Sequence, residues 1–215
     1  MKPYLIFDYD GTIVDSRTMW GTAFLQTMKK LGHPITEQEL MAKMGPKTKE
    51  LIEIFLPENE KRRAAEGKEI IDKIVSSDSG LKLAPLCPGA KETLKRLKAN
   101  GHKMSLITNS DAAFVYESLK RFGLLNDIWD LVITADDPFL KKEESFKFIT
   151  DVLELKTENV FYIADKVSDV VLSKNAGVRS VIVSNQCSWD SEEKIKAVGP
   201  DYLIKDLKEL EKFLK

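Results

Sequence analysis

The chain has 215 residues, of which 43% are hydrophobic, and this size suits one α/β domain with a modest insertion. Its 33 basic and 34 acidic side chains give a formal net charge of -1. Without a basic excess, the chain lacks the charge with which proteins bind nucleic acid or an anionic membrane surface. The composition therefore argues against both kinds of partner.

Cysteine usage and the first residues indicate the compartment. Only Cys87 and Cys187 are present, and neither has a partner at metal-site or redox-motif spacing. The apolar run before Asp8 is too short for the core of a signal peptide, and no later segment approaches the length of a membrane span. We therefore expect two reduced thiols in a soluble, cytoplasmic protein.

The predicted elements begin with a strand. Residues 4–7 form a short β-prone run of the length of a strand that is buried on both faces. Residues 15–79 then show helical spacing throughout, in about four helices separated by breakers at residues 32–34, 45–46 and 57. The pattern predicts a helical insertion after the first strand.

Beyond residue 84, short apolar runs alternate with helical segments. Helices are predicted at residues 89–99, 111–122 and 145–155, and strands at residues 104–107, 131–134, 160–164, 180–183 and 202–204. Such alternation is typical of an α/β fold with a doubly wound, mostly parallel, Rossmann-like sheet. We expect a core built from residues 1–15 and 84–215, with residues 16–83 inserted as a helical subdomain. Ligands of such sheets bind outside the carboxyl ends of the strands.

Two pairs of carboxylates follow two of the predicted strands. Asp8 and Asp10, in Asp8-Tyr9-Asp10-Gly11-Thr12, come directly after the first strand, and Asp165 and Asp169 follow residues 160–164. If these strands are neighbours, four acids meet at one rim, where like charges raise pKa values or require a cation. Mg²⁺ prefers oxygen ligands and often joins carboxylates to a substrate phosphate, so the pattern predicts magnesium and phosphate chemistry.

Two further segments carry groups suited to phosphate. Thr108 and Asn109 follow the strand at residues 104–107, where the free N–H groups at the start of the next helix favour an anion. Lys141 and Lys142 precede the helix predicted at residues 145–155, and a lysine there can offset phosphate charge. Taken alone, the first segment is typical of a helix N-cap and the second of solvated surface.

In this order, the segments resemble the four motifs of the haloacid dehalogenase (HAD) superfamily over essentially the whole chain. The residues from Asp8 to Thr12 match the first motif, Asp-x-Asp-Gly-Thr, and Thr108-Asn109 match the second. The third motif is a lysine, Lys141 or Lys142, and the fourth is matched by the residues from Asp165 to Asp169. The insertion resembles the cap of the subgroup that includes phosphoglycolate phosphatase, as do Gly45-Pro46 and Leu86-Cys87-Pro88-Gly89.

The resemblance implies a magnesium-dependent phosphatase that acts on a small phosphorylated metabolite. It implies that Asp8 attacks phosphorus to form an aspartyl-phosphate, and that Asp10 acts first as acid and then as base. The implied Mg²⁺ ligands are Asp8, the main-chain carbonyl of Asp10, and Asp165 with or without Asp169. The implied phosphate-binding groups are Thr108, the N–H groups near Asn109 and the motif-three lysine.

Two departures from the family pattern leave questions open. The motif-three lysine is commonly followed by proline, which follows neither lysine here. The residue count to Asp165 favours Lys141, whereas the spacing of the apolar residues in the next helix favours Lys142. Lys166 stands beside Asp165, where it either pairs with that carboxylate and weakens a metal site or points outward.

The reaction and its specificity also remain open. The alternatives are a phosphosugar mutase of the β-phosphoglucomutase kind, which uses the same core, and a catalytically weak binding protein. The presence of Asp10 argues against the dehalogenase branch, which typically lacks that aspartate. The resemblance to the family's cap makes residues 44–47 candidates for substrate selection, although Lys47 taken alone is typical of a solvated helix start. Trp20 and Phe24 belong either to the core or to a pocket wall, and their helical spacing favours the core. The sequence specifies neither which phosphate ester is the substrate nor the oligomeric state.

Overall fold

A computed structural model describes residues 2–214, which form a six-stranded sheet flanked by helices. Its strands are β1 Tyr4–Phe7, β2 Met104–Ile107, β3 Leu131–Ile133, β4 Val160–Ala164, β5 Arg179–Val183 and β6 Tyr202–Ile204. All neighbours are parallel, in the order β3-β2-β1-β4-β5-β6. The predicted α/β fold is confirmed, and each strand lies within one residue of its predicted bounds.

The strands are short and apolar because both faces of the sheet are covered. In β1, Leu5 and Phe7 belong to one buried hydrophobic cluster, whereas Tyr4 and Ile6 belong to another. Successive side chains of a strand point to opposite faces, so an uninterrupted apolar run packs against helices on both sides. The two central strands, β1 and β4, are therefore covered on both faces.

Between β1 and residue 83, the regular elements are helices. They are α1 Arg17–Lys30, α2 Glu37–Met41, α3 Thr48–Phe55, a 3₁₀ helix at Glu58–Arg63, α4 Ala64–Val75 and α5 Asp78–Lys82. There is one α-helix more than predicted, because the Ser77 side chain accepts a hydrogen bond from the Gly80 N–H and starts α5. The two segments that connect this insertion to the sheet pair with each other at Val14 and Leu86.

The remaining α-helices flank the sheet. They are α6 Ala90–Ala99, α7 Ala112–Phe122, α8 Lys142–Val152, α9 Val167–Ala176 and α10 Glu192–Val198. Helix α8 begins before its predicted start at residue 145, because Lys141 takes the extended N-cap conformation and the Glu144 carboxylate accepts the Leu140 N–H. This shift places Lys142 on the first turn of α8. Within residues 2–214, no helix is both long enough and apolar enough to cross a membrane.

The two cysteines lie together, although the sequence separates them widely. Cys87 and Cys187 are free, buried thiols of the same hydrophobic cluster. Their mutual hydrogen bond, together with burial, raises the pKa of Cys87, and the same hydrogen bond lowers that of Cys187. The predicted free thiols are confirmed. Their proximity in space was not predicted, because sequence spacing does not report contacts between distant loops.

Candidate active site

The site lies where the strand order reverses, between β1 and β4. The sheet continues from β1 to β2 on one side, and β4 lies on the other. In such sheets, the crevice outside the carboxyl ends of the strands binds ligands. Asp8 follows β1, and its N–H donates a 2.8 Å hydrogen bond to the Ile163 carbonyl of β4. The pairing therefore brings the first and fourth sequence motifs together.

Three buried carboxylates form a compact cluster in this crevice. One oxygen each from Asp8, Asp165 and Asp169 lies within 4.8 Å of the other two. Burial raises the pKa of Asp165 and Asp169, and the charge of neighbouring carboxylates adds to the increase. A buried set of oxygen donors that is short of positive charge fits a hard divalent cation such as Mg²⁺.

Lys142 supplies positive charge to this cluster. Its Nζ lies 3.0 Å from Asp8 Oδ2 and 3.7 Å from Asp169 Oδ1. Burial lowers the pKa of Lys142, but the two carboxylates outweigh burial and the net shift is upward. Lys141 is exposed at the N-cap of α8. The lysine beside Asp8 is thus Lys142, as the spacing of the apolar residues in α8 indicates. The residue count to Asp165, which favours Lys141, gives the wrong lysine.

A tyrosine that sequence reasoning missed joins the same group. Tyr162 Oη accepts a 3.0 Å hydrogen bond from Lys142 Nζ and donates a 3.2 Å hydrogen bond to Asp169 Oδ1. Burial and then the charge of Asp169 raise the pKa of Tyr162 well above its usual value, so the phenol stays protonated. Tyr162 lies in a strand predicted to be buried, where its hydroxyl needs a hydrogen-bond partner. That requirement was the one sign in the sequence that Tyr162 contacts another polar group.

Asp10 is held in a different environment from the carboxylate cluster. Its Oδ1 accepts hydrogen bonds from the Ser16 hydroxyl and, at 2.8 Å, from Trp20 Nε1. Its Oδ2 accepts hydrogen bonds from the Thr108 hydroxyl, at 3.3 Å, and from the Ser110 hydroxyl. All four donors are neutral, so they fix the position of the carboxyl group without an ion pair.

The surroundings of Asp10 were only partly visible in the sequence. Trp20 is buried in the core as predicted, but its indole N–H also reaches the site. Ser110 lies two residues after Thr108, and its main-chain N–H donates to the Thr108 hydroxyl at 3.0 Å. This compact turn directs both hydroxyls toward one carboxylate oxygen. Ser16 was missed because a serine before a helix is typical of an N-cap.

Contacts from the loops after β2 and β3 join the sheet to the helical insertion. Asn109 Nδ2 donates a 3.1 Å hydrogen bond to the Gly45 carbonyl. Lys47 Nζ donates to the Ala135 carbonyl at 2.8 Å and to the Phe139 carbonyl at 2.6 Å. Lys47 is thus not a solvated helix start but a direct contact between insertion and sheet. A cleft of about 800 Å³ lies between the two.

Lys166 adopts neither of the two positions expected from the sequence. Among the described residues it forms no ion pair, and its side chain is only partly exposed. Its Nζ lies 4.9 Å from the ring centroid of Trp189. The main-chain N–H of Trp189 in turn donates a 2.6 Å hydrogen bond to Asp165 Oδ2. Sequence reasoning missed Trp189 because it lies in the loop before α10, outside the four motifs.

The chain is similar to known phosphatases over nearly its whole length. It is 28% identical over 217 residues to a phosphoglycolate phosphatase from Vibrio parahaemolyticus, which covers 96% of this chain and 93% of that protein. It is 23% identical over 223 residues to a pyrophosphatase from Halalkalibacterium halodurans, which covers 96% of this chain and 94% of that protein. Both alignments span the sheet and the helical insertion.

Solved structures share the fold. A haloacid dehalogenase-like hydrolase from Streptococcus pneumoniae has a TM-score of 0.81 at 20% identity, covering 100% of this chain and 99% of that one. A predicted phosphoglycolate phosphatase from Haemophilus somnus has a TM-score of 0.84 at 20% identity, covering 100% and 98%. A family profile described as haloacid dehalogenase-like hydrolase matches residues 5–183, and the chain therefore belongs to this family.

Proposed function

We propose that the protein is a magnesium-dependent phosphatase that hydrolyses a small phosphate monoester or anhydride through an aspartyl-phosphate on Asp8. The observation that carries this proposal is the contrast between two aspartates on one loop. Asp8 lies in the buried carboxylate cluster, 3.0 Å from the Lys142 ammonium. Asp10 lies apart from that cluster, held by four neutral donors. The first suits a nucleophile and the second a positioned acid and base.

The chemistry divides between these two carboxyl groups. An Asp8 oxygen attacks phosphorus while the bond from phosphorus to the leaving oxygen breaks, and protonated Asp10 gives its proton to that oxygen. The Asp10 carboxylate then takes a proton from the water that attacks the aspartyl-phosphate, which releases inorganic phosphate and free Asp8. Lys142 offsets charge on the phosphoryl oxygens, and the N–H groups at the start of α7 are placed to do the same.

The proposed metal ligands are Asp8, Asp165 and the main-chain carbonyl of Asp10, with Asp169 beside them. The buried carboxylate cluster supports this assignment, because oxygen donors with raised pKa values call for compensating charge. When bound, Mg²⁺ would supply Lewis-acid stabilisation to the transferring phosphoryl group. Tyr162 and Lys142 would hold the Asp169 carboxylate in place.

We further propose that residues 16–83 form a cap over a catalytic core made of residues 1–15 and 84–215. The insertion connects to the sheet through two adjacent segments, paired at Val14 and Leu86. Its contacts through Gly45 and Lys47 lie at the cleft. Closing of such a cap excludes water from the site and selects the substrate.

The test is phosphate release from phosphoglycolate, pyrophosphate and p-nitrophenyl phosphate, with Mg²⁺ or with EDTA, by the wild type and Asp8→Asn. Those first two substrates are the ones that the names of the relatives indicate. We expect turnover that EDTA abolishes and that Asp8→Asn loses essentially completely. Asp8-independent turnover would contradict the mechanism. A requirement for a sugar bisphosphate would indicate a mutase, and Mg²⁺ binding without turnover would indicate a binding protein.

A further inference from the structure

Lys166 places an available positive charge next to the proposed metal site. It directly follows Asp165, within the segment that matches the fourth motif. Its ammonium group lies over the Trp189 ring and is in no ion pair with the described carboxylates. A cation–π contact restrains a long side chain without neutralising its charge. Burial raises the pKa of Asp165 and Asp169, and the Lys166 charge offsets part of that increase without a direct ion pair, while the ammonium group itself remains accessible to a ligand.

Trp189 is itself held firmly in position. Its main-chain N–H donates to Asp165 Oδ2 at 2.6 Å, and the Asp190 carboxylate accepts the Val167 N–H at 2.9 Å. A Cβ built on Gly11 would lie 2.6 Å from Trp189 Cδ1, so the indole packs directly against the loop that carries Asp10. The aromatic ring under Lys166 is thus part of the active-site wall.

The position of Lys166 and Trp189 relative to Asp10 indicates which part of a substrate they would contact. They line a narrow pocket together with Asp10, and the insertion closes the same pocket with Met44 and Pro46. Asp10 is the proposed proton donor to the leaving oxygen, so this pocket receives the leaving group. Lys142 contacts Asp8 at the attacking side instead. Both lysines also line the larger cleft, so one bound substrate can contact Lys142 at its phosphoryl group and Lys166 at its leaving portion.

From this geometry we infer that Lys166 determines specificity by binding an anionic group on the leaving portion of the substrate, with Trp189 positioning its side chain. The inference rests on the proposed phosphatase function. It names the substrate class as phosphate esters or anhydrides whose leaving group carries a second negative charge, such as a carboxylate or a second phosphate. Lys166 would thus favour substrates that carry a negative charge outside the phosphoryl group that reacts.

The test compares charged and neutral leaving groups of similar size. We would measure kcat/KM for phosphoglycolate, pyrophosphate and 2-hydroxyethyl phosphate with the wild type, Lys166→Met and Lys166→Arg. For the anionic substrate that the wild type hydrolyses, Lys166→Met should lower kcat/KM about tenfold to hundredfold, as the loss of one charge-assisted contact does. Hydrolysis of 2-hydroxyethyl phosphate should stay within about threefold, and Lys166→Arg should recover most of the loss.

Matched variants separate the roles of charge, aromatic support and fold. Trp189→Leu should give a smaller loss that is confined to the anionic substrate, and Trp189→Phe should be close to the wild type because it keeps an aromatic face. Lys174→Met is the control, since the Lys174 ammonium lies on the exposed face of α9 and donates to the Val198 carbonyl. All assays use saturating Mg²⁺, because the Lys166 charge also acts on Asp165 and its removal can shift the Mg²⁺ affinity.

Ligand binding by a catalytically inactive variant distinguishes failure of this inference from failure of the proposed function. In the Asp8→Asn background, calorimetry should show that Lys166→Met weakens binding of phosphoglycolate or pyrophosphate about tenfold. Equal losses for charged and neutral substrates at saturating Mg²⁺, or no loss at all, would overturn the role of Lys166. A wild type without turnover, but with Lys166-dependent anion binding, would overturn the phosphatase and leave the binding role standing.

Discussion

The two walls of the cleft are built in different ways. On the sheet side, Asp8 and Asp10 stand at the end of a buried strand, and their carboxylates contact side chains from several other elements. On the insertion side, Gly45 and Lys47 reach the sheet wall through hydrogen bonds that involve main-chain carbonyls. The sheet wall is fixed by contacts between side chains. The contacts of Gly45 and Lys47 instead depend on main-chain carbonyls, although Ser16 and Trp20 of the insertion also donate side-chain hydrogen bonds to Asp10.

This difference assigns the proposed chemistry to the sheet wall and substrate selection to the insertion wall. Groups that transfer phosphorus and protons need positions set to a fraction of an ångström, which strand ends and buried hydrogen bonds provide. A wall that contacts the sheet at a few polar points can move and can change its sequence without disturbing those groups. Substitutions on the sheet wall should therefore affect the chemical step strongly, and those at residues 44–47 of the insertion wall should act on substrate selection rather than on that step.

The largest effect that we predict on the sheet wall, after loss of the nucleophile, is that of Asp10→Asn. Removing a positioned acid and base should lower kcat about 10²- to 10⁴-fold. The asparagine amide keeps the size of the carboxyl, and Asp10 is not one of the three clustered carboxylates that we propose as the metal site. Stabilisation by Mg²⁺, followed by thermal unfolding, should therefore persist in this variant. A near-normal kcat would show that another group transfers the proton.

A smaller but still large effect should distinguish the two adjacent lysines. Lys142→Met removes the charge 3.0 Å from Asp8 and should lower kcat about 10²-fold, as loss of one preorganised electrostatic partner does. Lys141→Met is the matched control, because Lys141 is exposed one residue earlier. Without Mg²⁺, only Lys142→Met should also lower the melting temperature, since it leaves Asp8 and Asp169 without their ammonium partner. Equal behaviour of the two variants would contradict this assignment.

Magnesium should stabilise the protein more strongly as the pH rises. Burial raises the folded-state pKa of Asp165 and Asp169, so the metal-free folded state holds more protons than the unfolded chain. Stability is then lost as the pH rises through those folded-state pKa values. A saturating Mg²⁺ concentration of a hundred times Kd adds about 2.7 kcal/mol, which raises the melting temperature of a chain of this size by roughly 5–10 °C. Asp165→Asn should abolish the shift, and a shift retained in that variant would place the metal elsewhere.

The sequence predicted the sheet wall well because its signals are local. Each buried strand is an apolar run, and a carboxylate directly after such a run lies at the rim of the sheet, as Asp8 and Asp165 do. The start of α8 was less predictable, because a capping interaction between Leu140 and Glu144 decides it. That small shift determined which lysine reaches Asp8.

The remaining site residues were hidden because their signals are not local. Tyr162 and Trp20 are apolar-pattern residues whose polar atoms matter only once the fold brings Asp169 and Asp10 to them. Trp189 lies in a loop without a motif, and nothing along the chain links it to Lys166. Residues 44–47 were named as candidates, but the contacts of Gly45 and Lys47 were not predictable, since they involve main-chain carbonyls that carry no sequence information.

The smallest predicted effect concerns an ion pair away from the cleft that also joins insertion to sheet. Asp111 is buried at the start of α7, and Lys68 of α4 lies 3.4 Å from its carboxylate. Burial raises the pKa of Asp111 to about 6, and the nearby Thr48 hydroxyl and Lys68 ammonium offset only part of that increase. At a pH between the ordinary pKa of aspartate and about 6, Asp111 therefore carries a proton in the folded state but not in the unfolded chain.

Because the folded-state pKa is raised, Asp111 stabilises the protein at low pH and loses that contribution as the pH passes about 6. Between pH 5 and pH 7 the free energy of unfolding should fall by about 1 kcal/mol on account of this group. Asp111→Asn should remove that share of the pH dependence, measured by urea unfolding at each pH. Asp78→Asn is the control, because its pair with Arg121 also joins insertion to sheet but is exposed to solvent. An unchanged pH dependence in Asp111→Asn would show that the buried contact between insertion and sheet does not titrate in this range.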